Sequence, residues 1–250
     1  MRAWWLVGVI VLGGCGVIIG PSAPRSIVNH DPNDELAEGR DEFRHGQFTE
    51  ALAVFRRVQF ELNPAQPEMA EVRYLLAECD FQTGDLTSAS LEFHKVADEF
   101  PGSEYASLAL MRAGDANVRL WHNPELDPTP GEAALATYQE LLGRYPNTPA
   151  AARAQMRARE LNDWFAVKDY QAGMFYFHRR AFDSAIIYFK DIIANYPGSA
   201  SVGDALLRLV DSYKAIGYSD EQREACDNLR RFYPKATGLD RRCPASAPTP

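Results

Sequence analysis

The sequence lacks the features that mark several large classes of protein. Its formal charge is −8 and it has no long run of lysine or arginine, whereas a nucleic-acid-binding protein needs clustered positive charge to replace counterions. It contains no P-loop, no GxSxG elbow and no HExxH motif, its five histidines are scattered, and no stretch shows the alternation of a strand. Nucleic acid, metal ions and cofactors are therefore not expected as ligands, and an enzyme is the least favoured class.

Cysteine is also scarce, with four in the whole chain. Cys79 and Cys226 fall within helical patterns, where they are interpreted as small core residues. A bridge between Cys226 and Cys243 would suit an oxidising compartment, but Cys243 lies in a segment expected to be flexible, so this pairing is left open. The fourth cysteine, Cys15, belongs to an N-terminal signal.

That signal has the form of a bacterial lipobox. The short positive region Met1-Arg2 is followed by an apolar stretch over residues 3–12, and Leu12-Gly13-Gly14-Cys15 places small residues directly before a cysteine. We expect residues 1–14 to be a signal peptide that is cleaved before a lipidated Cys15. The apolar run continues to Gly20, which is barely long enough to span a bilayer, so an uncleaved anchor is the alternative.

The residues after Cys15 indicate where the protein is held. Gly16 replaces the aspartate that retains lipoproteins in the inner membrane of enteric bacteria, so we expect attachment to the periplasmic face of the outer membrane. From Gly20 to Pro32 the composition shifts to proline, serine and asparagine without helical periodicity, so residues 15–32 are predicted to be a flexible tether.

A repeat organises the rest of the chain. A small residue is followed four positions later by an aromatic residue and twelve positions later by proline. This triplet occurs as Ala89/Phe93/Pro101, Ala134/Tyr138/Pro146 and Ala185/Phe189/Pro197. Ala51/Phe55 opens a further copy, and a degenerate last copy has Gln222 and Cys226 before Pro234. Recurrence of helix pairs at a fixed offset is typical of tetratricopeptide repeats.

The sequence therefore predicts an all-α tetratricopeptide-repeat solenoid of about five helix-turn-helix units. The solenoid covers residues 33–235, with units at about 33–64, 67–101, 104–146, 150–197 and 200–234. Unit three carries a proline-studded insertion from His122 to Pro130. The helical pattern from Ala150 to Arg180 is too long for one repeat helix and is either continuous or kinked near Asp163. Residues 236–250 are small, polar and proline-rich, so we expect a disordered tail.

The order of these features resembles the BamD family of outer-membrane protein assembly factors. The most specific segment runs from Arg144 to Ser199, a long helix followed by an aromatic-rich helix and a repeat turn. The chain departs from the family in having Phe175-Tyr176-Phe177 for a Tyr-Tyr pair, and Ala181 for a glycine at the unit-four turn. A tetratricopeptide coordinator of the Tol-Pal cell-division system and a pilotin-like lipoprotein are the alternatives.

The resemblance implies a scaffold of the β-barrel assembly (BAM) machinery rather than an enzyme. Its expected partners are a POTRA domain of the barrel protein BamA, accessory lipoproteins, unfolded outer-membrane proteins, and the membrane through the lipid anchor. A peptide-binding groove is predicted on the first helices of the N-terminal units, at Arg40, Phe43, Arg44, Tyr74, Glu78, Phe81 and Gln82. Docking of the membrane-embedded partner is predicted on units four and five, at Tyr188, Lys190, Asp191, Arg230 and Arg231.

Overall fold

The computed structural model describes residues 31–244, and within them the regular structure is entirely helical. The helices are α1 (Pro32–Arg44), α2 (Phe48–Glu61), α3 (Glu68–Thr83), α4 (Leu86–Glu99), α5 (Glu104–Leu120), α6 (Thr129–Arg144), α7 (Pro149–His178), α8 (Phe182–Asn195), α9 (Ser201–Ile216), α10 (Ser219–Phe232) and α11 (Leu239–Arg242). The signal peptide, Cys15 and nearly all of the tether lie outside the described residues, so their predictions are not tested.

The helices stack as a solenoid. Each helix from α1 to α10 packs against its neighbours in the chain, and the first helices of successive units also meet, as α3 with α5, α5 with α7, and α7 with α9. No comparably close contact joins successive second helices within residues 31–244. The solenoid therefore curves with its first helices on the inner side, which we call the concave face. The predicted all-α repeat fold is confirmed.

Close crossing of the two helices explains why units three and four have a glycine in their first helix. A Cβ atom added at Gly173 would lie 2.6 Å from the ring of Phe189, and one at Gly114 would lie 2.7 Å from both Cδ1 and Cζ of Tyr138. Both aromatic side chains are fully buried. A glycine in the first helix of these units therefore lets the aromatic residue of the second helix sit against bare backbone.

In the last unit the larger side chain at the crossing is on the first helix and the smaller one is on the second helix. By the repeat offset, Val210 occupies the position of Gly173, and Cys226 occupies that of Phe189. Both side chains are buried, with 1% of Val210 and 6% of Cys226 exposed. A larger residue on α9 is thus matched by a smaller residue on α10, which keeps the volume at the crossing similar.

The turns inside the units require left-handed backbone. Gly84 and Gly217 supply it at the ends of α3 and α9, with φ angles of 93° and 82°. In unit four the left-handed residue is Arg180, with φ of 60°, and the adjacent Ala181 has an ordinary φ of −84°. The departure from glycine at this turn therefore places a non-glycine residue in a strained conformation at position 180.

Helix α7 is continuous over its 30 residues, which decides the question left by the sequence. Its first half packs on α5 and α6 of unit three, and its second half belongs to unit four. The insertion is fastened to it, because Trp121 stacks on Phe165 at 4.6 Å between ring centroids and Lys168 Nζ donates to the carbonyls of Pro124 and Leu126 at 3.2 and 2.9 Å. The insertion is therefore an anchored loop.

The prediction of a disordered tail is wrong for residues 236–244, which we call the C-terminal strap. This segment contains α11, buries Leu239, and is joined to α10 by a disulfide between Cys226 and Cys243. The composition of the strap did not indicate an ordered structure, because the strap is ordered by a covalent bond and by contacts with α9 and α10. Residues 245–250 lie outside the described part of the chain.

Candidate partner-binding surfaces

The predicted groove residues on α1 are already engaged with other side chains. The Arg40 guanidinium forms a two-point ion pair with Glu71 on α3, with Nε–Oε1 and Nη2–Oε2 distances of 2.7 and 2.5 Å. These hydrogen bonds raise the pKa of Arg40 further above its usual range. Arg44 is exposed and bonds only to Asp41, at 2.8 Å, so its charge remains accessible to a ligand.

Phe43 and Tyr74 pack as aromatic side chains. Phe43 contacts the ring of Phe48 edge-on at 5.3 Å. Tyr74 lies between Phe93 and Tyr105, with ring centroids 5.5 and 5.2 Å away. Burial and the neighbouring charge of Glu78 raise the pKa of Tyr74 to about 12, so its phenol stays protonated at neutral pH. Tyr74 can therefore donate a hydrogen bond as well as provide an apolar surface.

Glu78, Phe81 and Gln82 form one cluster on the concave face with two arginines of α5. Arg112 forms an ion pair with both oxygens of the buried Glu78, with 2.7 Å between Nε and Oε2, and Gln82 donates to Glu78 at 2.8 Å. The guanidinium groups of Arg112 and Arg119 lie 3.7 and 4.5 Å from the Phe81 ring centroid. Cation–π contact with both arginines keeps Phe81 largely buried.

The concave cluster therefore differs from the predicted one in its charges. Glu78 is neutralised inside the protein, and the additional cations are Arg112 and Arg119, which the sequence reasoning did not select. The sequence does contain a pattern that could have identified Arg112. An arginine is followed three positions later by an aspartate at Arg112/Asp115, and again at Arg208/Asp211. In each pair the arginine contacts the aspartate at 3.4 Å.

The predicted docking residues on α8 lie on two different sides of the helix. Tyr188 stacks on Tyr176 at 5.5 Å and lines a cavity of about 590 Å³ with Lys168, Asp169 and Glu125 of the insertion. Burial, and secondarily the charge of Asp191, raise the pKa of Asp169. Tyr188 and Asp191 therefore belong to the side that faces α7 and the insertion.

Lys190 lies on the other side, at the rim of what we call the α8–α10 groove. This groove has a volume of about 330 Å³ and an apolar floor on α9, and its lining comprises Lys190, Ile193, Ala194, Leu206, Leu209, Tyr213, Glu221, Glu224, Ala225 and Asn228. An apolar floor with charged residues at the rim is the usual composition of a protein interface. Lys190 has the best position of the five predicted residues to meet a partner there.

The two arginines on α10 do not join Lys190. Arg230 donates from Nη2 to the carbonyls of Cys243 and Pro244, both at 2.7 Å, and thus holds the C-terminal strap. Arg231 is exposed and lies over the ring of the equally exposed Phe232, 5.1 Å from its centroid. The structure therefore divides the predicted docking set into three separate places.

Across residues 31–244, no group of three or more histidine, cysteine or acidic side chains is arranged to hold a metal ion. None of the helices in the same range combines the length and the apolar composition that crossing a membrane requires.

A curved stack of helical hairpins, with a charged and aromatic concave face and an apolar groove near one end, defines a tetratricopeptide-repeat scaffold. The YfiO family, described as outer membrane lipoproteins, matches residues 29–229. The chain belongs to this family.

Its relatives are BamD outer membrane protein assembly factors from several bacteria. The one from Caulobacter vibrioides is 24% identical over 220 residues, which cover 87% of this chain and 72% of the relative. The one from Neisseria meningitidis serogroup B is 24% identical over 78% of this chain and 75% of its own length. A 34% identical match with the Vibrio cholerae protein is confined to 38% of this chain and 39% of that relative. These relatives associate the chain with outer-membrane assembly.

Similar solved structures are repeat proteins. They include the TPR2AB-domain:pHSP90 complex of yeast Sti1, at 16% identity and a TM-score of 0.45 over 81% of this chain and 78% of that one. A tetratricopeptide protein from Thermus thermophilus matches at 21% identity and a TM-score of 0.38, over 85% of this chain and 96% of its own.

Proposed function

We propose that the protein is a non-enzymatic scaffold, anchored by lipid to the periplasmic face of the outer membrane, that helps β-barrel proteins to fold and insert. The observation that carries the proposal is the match of residues 29–229 to the YfiO family, which is described as outer membrane lipoproteins. The lipobox at Leu12-Gly13-Gly14-Cys15 supports the anchor. The solenoid offers two separate surfaces, so one scaffold can hold a substrate and a partner together.

The anchor is tested at Cys15. Cys15→Ala removes the thiol that accepts the lipid, so the variant should accumulate as an unprocessed precursor or as protein released from the outer membrane. Cys79→Ala is the matched control, because Cys79 is a buried free thiol within the solenoid. Membrane fractionation and precursor size are measured. Unchanged fractionation and size for Cys15→Ala would contradict lipid anchoring.

The N-terminal concave face is proposed to bind the C-terminal segment of an unfolded outer-membrane protein. A segment ending in an aromatic residue brings one carboxylate and one ring. Arginine recognises a carboxylate with paired donors, and the concave face supplies the accessible guanidinium of Arg44 and the aromatic surface of Tyr74. Arg40 contributes indirectly, because its ion pair with Glu71 fixes α1 against α3.

A peptide with a free C-terminal carboxylate after an aromatic residue provides the binding test. Arg40→Ala combined with Arg44→Ala should weaken binding measured by fluorescence anisotropy, and Arg44→Ala alone separates the loss of charge from the loss of the α1–α3 ion pair. Arg223→Ala is the control, because Arg223 is an exposed arginine on α10 that pairs only with Asp220. An amidated peptide should bind equally weakly to all variants. Equal binding by the double variant and the wild-type protein would eliminate this surface.

The C-terminal units are proposed to dock a POTRA domain of BamA, and the other faces remain available to accessory lipoproteins. The support is the α8–α10 groove, with its apolar floor and Lys190 at the rim. Lys190→Glu should reduce co-purification of the barrel protein from solubilised membranes without changing helix content. Lys214→Glu is the matched control, an exposed lysine on α9 that does not line the groove. Wild-type recovery with Lys190→Glu would move the docking site elsewhere, and the insertion from His122 to Pro130 would be tested next.

A further inference from the structure

Two first helices on the concave face carry an acidic residue that pairs with an arginine of the next first helix. Glu78 of α3 pairs with Arg112 of α5. Asp115 of α5 lies 3.8 Å from Arg157 of α7. Within residues 31–244 no sixth unit follows α10, yet Asp211 of α9 also has an arginine partner.

That partner is Arg242 of the strap. Its Nε lies 2.9 Å from both carboxylate oxygens of Asp211. The strap therefore provides at the end of the solenoid the charge that the first helix of a sixth unit would provide. It also covers apolar surface, because Leu239 and Cys243 are 7% and 3% exposed and pack in the same cluster as Val210 and Leu229.

Non-covalent contacts hold this segment only weakly. Helix α11 has four residues, far fewer than the number at which an isolated helix becomes stable. Leu239 is the single large apolar side chain of the strap that is buried. Arg230 adds hydrogen bonds from a side chain that is 37% exposed to water, and Arg242 adds one ion pair, with Asp211, from a side chain that is 16% exposed.

The disulfide takes the place of the aromatic residue used in other units. Cys226 stands at the repeat position of Phe93, Tyr138 and Phe189, and Cys243 meets it there beside Val210 in the same buried cluster. Both sulfur-bearing residues are buried. The bond thus fills the position and ties the strap to α10 at the same time.

We propose that the C-terminal strap is a redox-dependent cap, which closes the end of the solenoid while the Cys226–Cys243 bond is intact and opens when the bond is reduced. The chemistry needs an external dithiol as reductant. One thiolate of the dithiol attacks a sulfur of the bond and releases the other as a thiolate, and the second thiol completes the exchange. The protein gains two electrons and two protons to form two thiols, while the dithiol becomes a cyclic disulfide.

Hydrogen exchange on the full chain tests the cap. The amides of Arg242 and Cys243 donate to the carbonyls of Gly238 and Leu239 at 3.2 and 2.8 Å, so their protection reports closure. Reduction with dithiothreitol should speed their exchange by about tenfold or more, while exchange in α3–α6 stays unchanged. Reoxidation should restore protection. Cys243→Ser should behave like the reduced protein without reductant, and Cys79→Ser should behave like the wild-type protein in both states.

A second variant separates the bond from the ion pair. Arg242→Gln keeps the disulfide and loses the charge, so its strap should remain protected to within about threefold of the oxidised wild-type protein. The proposal is overturned if the strap amides keep their protection after reduction. It is also overturned if Arg242→Gln opens the strap as far as reduction does, or if reduction exposes the whole of α9 and α10, since the bond would then hold the unit and not the cap.

Discussion

The close crossing of α5 and α6 gives the sharpest test of the packing. Gly114→Ala adds one methyl group at a helical position, which in an open site would stabilise the protein by about 1 kcal/mol through helix propensity. Here the methyl carbon would lie 2.7 Å from two atoms of the Tyr138 ring, and Tyr138 is fully buried. Its hydroxyl also donates to Asp115 at 2.8 Å, so the ring cannot withdraw without breaking a hydrogen bond to a charged group.

The expected loss outweighs the gain in propensity. Overpacking of this kind costs about 1 to 3 kcal/mol. Weakening the Tyr138–Asp115 bond adds about 1.5 to 3 kcal/mol, since the acceptor is charged. After subtracting about 1 kcal/mol for propensity, Gly114→Ala should destabilise the protein by about 1.5 to 5 kcal/mol. That corresponds to a fall in melting temperature of about 3 to 20 °C for a domain of this size.

Gly143→Ala is the matched control for this change. Gly143 also lies in a helix, α6, but nothing would come within 4 Å of its added Cβ. It should stabilise the protein by up to about 1 kcal/mol. Urea unfolding followed by circular dichroism at the helical minimum measures both variants. If Gly114→Ala raised stability as much as Gly143→Ala does, Tyr138 would have room to move and the packing account of the repeat would be wrong.

Three further changes test other parts of the fold. Ala89→Leu inserts bulk at a fully buried position and should cost about 1 to 3 kcal/mol in urea unfolding, whereas a near-neutral result would mean that the α3–α4 crossing is loose. Arg180→Gly removes the left-handed strain of an L side chain, about 1 to 2 kcal/mol, but adds the greater chain entropy of glycine, so a net gain of about 0.5 to 1 kcal/mol is expected and a loss would refute the strain. Asp169→Asn should raise the melting temperature at pH 7. Because the pKa of Asp169 is raised in the folded protein, its favourable contribution to stability is present below the unfolded pKa and is lost as pH rises through the folded pKa. The stability advantage of asparagine over aspartate should therefore disappear near pH 3. An equal advantage at pH 7 and pH 3 would contradict burial as the cause of the raised pKa.

The repeat spacing predicted most of the fold because it reflects packing between residues that are close in sequence. The small and aromatic residues at Ala89 and Phe93 have equivalents in later units because the two helices of each unit cross in the same way. The continuity of α7 was not predictable, because residues 150–180 contain no proline and a single glycine, Gly173, while their length exceeds that of one repeat helix, so the pattern fits one helix or two. Order in the C-terminal strap was not predictable either, since it depends on Cys226 and Asp211, which are distant in sequence and close in space.

The candidate surfaces were harder to predict for a related reason. Periodicity places Glu78 on the concave face but does not show which side chain neutralises it, and Arg112 does so from 34 positions away. On α8, neighbouring positions such as Lys190 and Asp191 diverge by the helical twist, so residues close in sequence came to lie on separate surfaces. The single residue that best fits the docking prediction, Lys190, is identified by the groove beside it.

Helix α7 gives the scaffold a fixed length scale. At the usual rise per residue its 30 residues form a rod about 45 Å long. Leu161 and Phe165 bind the rod to the core of unit three, while Ala166 and Tyr170 bind it to the cores of units four and five. Repeat units joined by a turn can change their relative orientation at that turn. Units three and four are instead joined by α7, which runs from one unit into the other without a break. The rod therefore fixes the spacing between the core of unit three and the cores of units four and five.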